Sequence, residues 1–155
     1  MQLDQILTSG FINENLQAKN KTDALQELVT TIIDGGLKLD LAEVMDVLQQ
    51  REKLGSTGIG DGVAIPHGKI TQLKELVVAF GRSKEGIPFD AIDGKPVHIF
   101  FLLLAPENSA GQHLKVLAKI SKMLKVIDFR KKLMDAKSHD ELHQIIISQD
   151  QNCQI

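Results

Sequence analysis

Apolar residues along this chain change their spacing several times, and each change marks an element. Residues 11–18 alternate loosely and predict a first strand. After a start signal at Asn20 or Thr22, apolar residues Leu25, Leu28, Val29, Ile32 and Ile33 recur at steps of three and four. That spacing is one face of a helix, which Gly35-Gly36 ends. A second helix is expected over residues 40–51, with Leu41, Val44, Val47 and Leu48 turned inward. The pattern then breaks. Residues 55–68 hold glycine at 55, 58, 60, 62 and 68, which predicts a loop with a short strand at 63–65. Residues 76–80 read as a buried strand, 87–92 as a loop around Pro88, and Asp93-Gly94 as a turn. Residues 96–105 make the strongest central strand, through the run Ile-Phe-Phe-Leu-Leu-Leu. Three helical stretches follow. The first spans 112–125, with Leu114, Leu117, Ala118, Ser121 and Leu124 on one face, and the second 128–137. The third runs to about 148 from an N-cap at Ser138, with Glu141 at capping-box spacing. Helices on either side of a strand-rich middle predict an α/β fold.

Composition narrows the class. At 155 residues the chain fits a single domain over residues 1–155, with residues 149–155 as a polar, flexible tail. It has no Trp or Tyr and six Phe, so the core must be mostly aliphatic. A formal net charge of −2 excludes a global field drawing it onto nucleic acid or an anionic membrane. Lys115, Lys119, Lys122, Lys125, Arg130, Lys131 and Lys132 lie among apolar residues in a helical pattern and are expected to form a solvated face. The one cysteine, Cys153, excludes an internal disulfide and suits a reducing compartment. The start of the chain lacks a basic, then apolar, leader pattern, and no apolar run approaches the ~20 residues of a spanning helix. A soluble, cytoplasmic protein with no membrane insertion is expected.

The glycine-rich segment is where chemistry is concentrated. It fails as a Walker A loop, because five residues separate Gly62 from Gly68 and Ile70 follows Lys69. It fails as a dinucleotide fingerprint, because Val63 stands where the third glycine belongs. It does hold one histidine, His67, behind a proline. Pro66 fixes its own φ and pushes Ile65 toward extended backbone, while Gly68 leaves room for an immediate turn and uncrowded amides. Ser56 and Thr57 offer hydroxyls, and Arg51 offers a planar guanidinium that forks onto phosphate oxygens. A neutral imidazole is a fair nucleophile near pH 7, and phosphoryl transfer asks chiefly for in-line positioning and charge stabilisation. One His, one Arg, hydroxyls and amides suffice, with no metal and no cofactor. The same residues also fit a plain polar turn. His98, His139 and His143 are read as structural or exposed; the last two stand four apart on a helix, as metal ligands can, but lack a third ligand.

Arg51-Glu52-Lys53, Ser56-Thr57 and Gly62-Val-Ala-Ile-Pro-His67-Gly68 together resemble the signature of the fructose/mannitol class of phosphotransferase-system EIIA proteins. The resemblance extends over about residues 3–148. It includes the stretch from Pro88 to Val97, the strand ending at Pro106 and a histidine at 113 opening a helix. The wording Leu54-Gly-Ser-Thr-Gly-Ile-Gly60 is most similar to the nitrogen-related branch. The resemblance implies a mixed β-sheet with helices on both sides, a three-layer α/β/α arrangement. It implies that His67 accepts a phosphoryl group on Nε2 from phospho-HPr or a nitrogen-branch relative of HPr. It implies that Arg51 is the active-site arginine, and that His113 bonds the phosphoryl group or orients His67. Ser56, Thr57 and Gly68 are expected to support the phosphate loop.

Three functions follow as expectations. The first is a regulatory switch, in which phosphorylation adds a charge of about −1.5 to −2 and decides which target proteins dock. The second is a transport relay passing phosphate to an EIIB acceptor. The third is a hydrolase with His67 as general base and Asp61 or Asp93 as its orienting acid.

Overall fold

The computed structural model describes residues 2–152, so Cys153 and the end of the expected tail lie outside the described residues. Six strands form one mixed sheet: β1 (Ile12–Asn13), β2 (Gly58–Gly60), β3 (Val63–Ala64), β4 (His67–Lys69), β5 (Val77–Ile87) and β6 (Val97–Ala105). The antiparallel pair β5–β6 is its centre, with β1 parallel to β5 at one side. On the other side β3 and then β4 pair in parallel with successive stretches of β6, and β2 closes antiparallel on β3. Five helices cover the sheet: α1 (Lys21–Asp34), α2 (Leu41–Lys53), α3 (Ala110–Leu124), α4 (Ile127–Asp135) and α5 (His139–Asn152).

Side-chain alternation along β5 and β6 divides the core in two. Val78, Phe80, Phe101 and Leu103 pack with residues of α3, α4 and α5, whereas Val77, Ala79, Phe100, Leu102 and Leu104 pack with α1 and α2. With both faces covered, the central strand is apolar at every position from Ile99 to Ala105. This is the three-layer arrangement expected. Among the described residues no helix is long and apolar enough to cross a membrane.

The helix starts follow the side-chain chemistry. Asn20 accepts the Asp23 N–H at 2.8 Å, and Asp40 accepts the Glu43 N–H at 3.2 Å. Ser138 accepts the Glu141 N–H at 3.1 Å, while the Glu141 carboxylate takes the Lys137 N–H at 2.9 Å, one residue outside the cap.

Elsewhere the structure departs from expectation. The strand expected at 11–18 is only Ile12–Asn13, behind a 3-10 turn at Ser9–Phe11. The strand expected at 76–80 continues to Ile87, through Arg82, Ser83, Lys84 and Glu85. Arg82 can enter a strand interior because its guanidinium finds three main-chain acceptors there. Nε donates to the Glu14 carbonyl at 3.1 Å, and Nη1 donates to the Leu133 and Ala136 carbonyls at 3.0 and 2.6 Å. The last two carbonyls belong to the C-terminal end of α4, where a cation also opposes the helix dipole. On α3 the inward face is His113, Val116, Ile120 and Met123, and Leu114 is exposed, so the helix is rotated from the expected face.

The tail expected from 149 is helical to Asn152. Asp150 is buried, accepts the Leu3 N–H at 2.8 Å and pairs with Lys119. Lys119 is thereby mostly buried rather than part of a solvated face. His143 Nε2 donates to the Leu7 carbonyl at 3.1 Å and His139 Nε2 donates to the Ser9 carbonyl, pinning the N-terminal segment to α5.

Candidate active site

The expected turn after His67 is absent. His67-Gly68-Lys69 is a strand, paired with Leu103, Leu104 and Ala105 of β6. Gly68 serves a different purpose. A Cβ there would stand 2.7 Å from Val47 Cγ1, so its absence lets α2 lie directly on β4. His67 is registered with Leu103, on the α3–α5 face, and Gly68 with Leu104, on the α1–α2 face. The two faces meet at the end of the sheet. There His113, near the start of α3, and Arg51, in the last turn of α2, both reach His67.

Both ring nitrogens of His67 are engaged. Nδ1 lies 2.9 Å from the Ile65 carbonyl, which can only accept, so Nδ1 carries the proton. Nε2 is then the unprotonated nitrogen, and it accepts from Arg51 Nε at 3.3 Å. Arg51 Nη1 donates to the Gly55 carbonyl at 2.9 Å. Burial lowers the His67 pKa below the ordinary histidine value, and the Arg51 charge adds to this; the Ile65 carbonyl and Glu52 pull the other way. The ring is thus neutral at pH 7, with its lone pair directed at a guanidinium.

His113 stands edge-on to His67, with ring centroids 5.5 Å apart and an interplanar angle of 77°. It is 7% exposed, and its Nε2 is buried without a hydrogen-bond partner. An orphaned buried ring nitrogen is uncommon and costly. Burial lowers its pKa too, followed by the influence of His67 and Lys69.

The loop hydroxyls have other partners. Ser56 Oγ donates to the Phe89 carbonyl at 2.6 Å and accepts the Gly58 N–H at 3.0 Å. Thr57 Oγ1 donates to Glu52 Oε2 at 2.5 Å, and the Thr57 N–H donates to Glu52 Oε1 at 3.0 Å. Both hydroxyls shape the loop. Glu52, given no role by the sequence reading, is the hub of these contacts and adds Lys21 at 3.0 Å from Oε1. Asp61 and Asp93 do not supply an orienting carboxylate: His67 Nδ1 uses a main-chain carbonyl, and Asp93 instead accepts the Asp61 N–H at 3.1 Å. His98 Nδ1 bonds the Ser83 carbonyl at 2.9 Å.

The arrangement presents an unprotonated imidazole nitrogen, a cation touching it and a second imidazole with an unused nitrogen. It can receive an electrophile that carries negative charge.

Residues 5–149 match the family described as the phosphoenolpyruvate-dependent sugar phosphotransferase system, EIIA 2. A nitrogen regulatory protein of Bradyrhizobium diazoefficiens is 38% identical over 146 residues, covering 94% of this chain and 95% of that protein. A fructose-specific EIIABC component of Bacillus subtilis is 35% identical over 150 residues, covering 97% of this chain but only 24% of that longer protein. The crystal structure of nitrogen regulatory protein IIA-Ntr from Neisseria meningitidis superposes with a TM-score of 0.85 at 39% identity, covering 92% of this chain and 97% of that one. With nearly its whole length matched, the chain belongs to the EIIA type 2 family of the phosphoenolpyruvate-dependent sugar phosphotransferase system.

Proposed function

We propose that this chain is a phosphocarrier in which His67 Nε2 accepts a phosphoryl group from a phosphohistidine of HPr or a nitrogen-branch relative of HPr. The carrying observation is the state of His67: proton on Nδ1, lone pair on Nε2, and Arg51 Nε on that lone pair. Nε2 attacks phosphorus as the donor's N–P bond breaks, and the donor ring keeps that bond's electron pair. The acceptor atom has no proton to lose. Positive charge growing on the ring is met by the Ile65 carbonyl at Nδ1–H. Arg51 exchanges its contact with Nε2 for the phosphoryl oxygens, a task suited to its fork of donors. His113 Nε2, unpartnered at rest, donates to an oxygen of the same group once it carries a proton.

Similarity to nitrogen regulatory proteins at 38% and 39% identity favours a regulatory role, with the charge on His67 selecting target proteins. Transport is the second reading, favoured by the fructose-specific relative, with phosphate passing to an EIIB-type acceptor.

The test is label transfer from phosphoenolpyruvate through enzyme I and HPr, read by intact mass, on wild type and His67→Ala. One acid-labile phosphoryl group on wild type and none on the variant is expected. Labelling that persists in His67→Ala removes His67 as the acceptor. Transfer only from a nitrogen-branch donor supports the regulatory role over transport.

A further inference from the structure

We propose that Glu52 is a positioning residue for phosphoryl transfer, acting on Arg51 through the loop at 54–57; this rests on the phosphocarrier reading above. Arg51 and Glu52 are consecutive in the last turn of α2, so their side chains leave the helix about 100° apart. Arg51 goes to His67. Glu52 turns under the loop and holds Thr57 twice, through its N–H at 3.0 Å and its hydroxyl at 2.5 Å. The Glu52 side chain is 6% exposed and Thr57 is 3% exposed, so this clamp lies out of water, where charge-assisted hydrogen bonds are strong. Lys21 Nζ, 3.0 Å from Oε1, neutralises the carboxylate.

The chain between clamp and helix reverses tightly. Leu54 N–H donates to the Arg51 carbonyl at 3.2 Å, and Gly55 N–H donates to the Glu52 carbonyl at 3.1 Å. Gly55 has a φ of +149°, a conformation that suits glycine. With Thr57 fixed on one side and α2 on the other, the Gly55 carbonyl is held against Arg51 Nη1 at 2.9 Å. That contact leaves Arg51 Nε facing His67. Without the clamp the loop carbonyl moves, and the guanidinium loses the anchor that aims it. The catalytic contact is made by Arg51; Glu52 acts two hydrogen-bonded links away.

The experiment uses the full chain and a phosphorylated HPr-type donor. Transfer kinetics are compared for wild type, Thr57→Val, Glu52→Ala, Arg51→Ala and the double variant Arg51→Ala/Thr57→Val. Thr57→Val keeps the side-chain shape and the main-chain bond to Glu52 and removes the shorter hydroxyl bond of the clamp, so it carries the test if Glu52→Ala folds poorly. Each clamp variant should lower kcat/KM about tenfold through misplacement of Arg51. The double variant should be no slower than Arg51→Ala alone, because the clamp has nothing left to position. In 15N-edited NMR, which needs no donor, the Arg51 Nε–H signal should be protected from exchange in wild type and unprotected in Thr57→Val. A wild-type rate in both clamp variants, a protected signal in Thr57→Val, or losses that multiply in the double variant would overturn the positioning role. Unchanged transfer in Arg51→Ala would overturn both the positioning role and the site from which it is argued.

Discussion

Gly68→Ala tests whether packing sets the chemistry. The new Cβ would sit 2.7 Å from Val47 Cγ1, and ordinary contact begins at 3.4 Å, so about 0.7 Å must be made up; the stiff χ1 of a helical valine directs that shift into a withdrawal of α2 from β4. Val47 and Arg51 are four residues apart on α2 and share a face, so the withdrawal carries Arg51 with it. The Arg51 Nε to His67 Nε2 distance of 3.3 Å would grow to about 4 Å, beyond hydrogen-bond range. Overpacking of this kind costs about 1–3 kcal/mol. For a chain of this size that is a fall in Tm of roughly 5 °C. Losing a charge-assisted contact in the transition state costs about 1.5–3 kcal/mol, and partial readjustment of the Arg51 side chain leaves a loss of transfer rate of about tenfold. Single-turnover phosphorylation and thermal unfolding measure the two effects side by side. Val47→Ala removes the atom that the new Cβ meets, so Val47→Ala/Gly68→Ala should recover most of the rate. Gly68→Ala with lowered Tm but wild-type transfer would refute the link between helix seating and Arg51. Failure of the double variant to recover would refute the contact responsible.

Acidity supplies a second prediction. His67 and His113 both have pKa values below the unfolded value of about 6.5, so unfolding takes up protons, and stability falls as pH drops below about 6.5. Urea unfolding between pH 8 and pH 5 should lose more stability in wild type than in His67→Asn; equal losses refute the depressed His67 value. Transfer should hold its plateau down through pH 6.5 and decline only at lower pH; a half-maximal rate at or above pH 6.5 contradicts the buried, Arg51-flanked setting. Arg82→Met should cost about 2–4 kcal/mol, because the carbonyls of Glu14, Leu133 and Ala136 lose their donor. An unchanged Tm would mean that relief of the buried charge offsets the lost bonds. Asp150→Ala should cost about 2–3 kcal/mol in chemical denaturation by releasing the Leu3 N–H and the Lys119 ammonium; a change under ~0.5 kcal/mol refutes the tie between α5 and the N-terminal segment.

The helix caps and the central strand were legible because they are local. Asn20 and Ser138 act through residues three positions on, and β6 reads as a strand because both its faces are covered. His67 was singled out by the Pro-His-Gly setting and the family wording around it, and the structure brings Arg51 and His113 to it. What escaped depended on distant partners. Nothing in residues 82–85 marks a strand, since Arg82 becomes tolerable only when the end of α4 arrives to accept its donors. Helix α3 carries two overlapping stripes of similar regularity, Leu114-Leu117-Ser121-Leu124 and His113-Val116-Ile120-Met123, and only the sheet decides between them. Gly68 read as a turn because its close neighbour, Val47, is 21 residues away in the chain. Glu52 stood in the family wording beside Arg51 but was given no role, although it organises the loop around Arg51.

His67 takes one neighbour from each layer, Arg51 from the α1–α2 side and His113 from the α3–α5 side. The two hydrophobic half-cores, already joined by the sheet and by Phe11, therefore also meet at one imidazole. If either layer loosens independently, as cooperative units of a native protein do, one of the two neighbours leaves while the sheet still holds. On the function proposed above, phosphate acceptance would be a logical AND of two separate packings, more demanding than helix content or compactness. A fragment or a partly frayed chain would keep its spectroscopic signature of fold and lose its chemistry. On that reading, competence at His67 would be a readout of the whole sandwich, obtained from a single side chain.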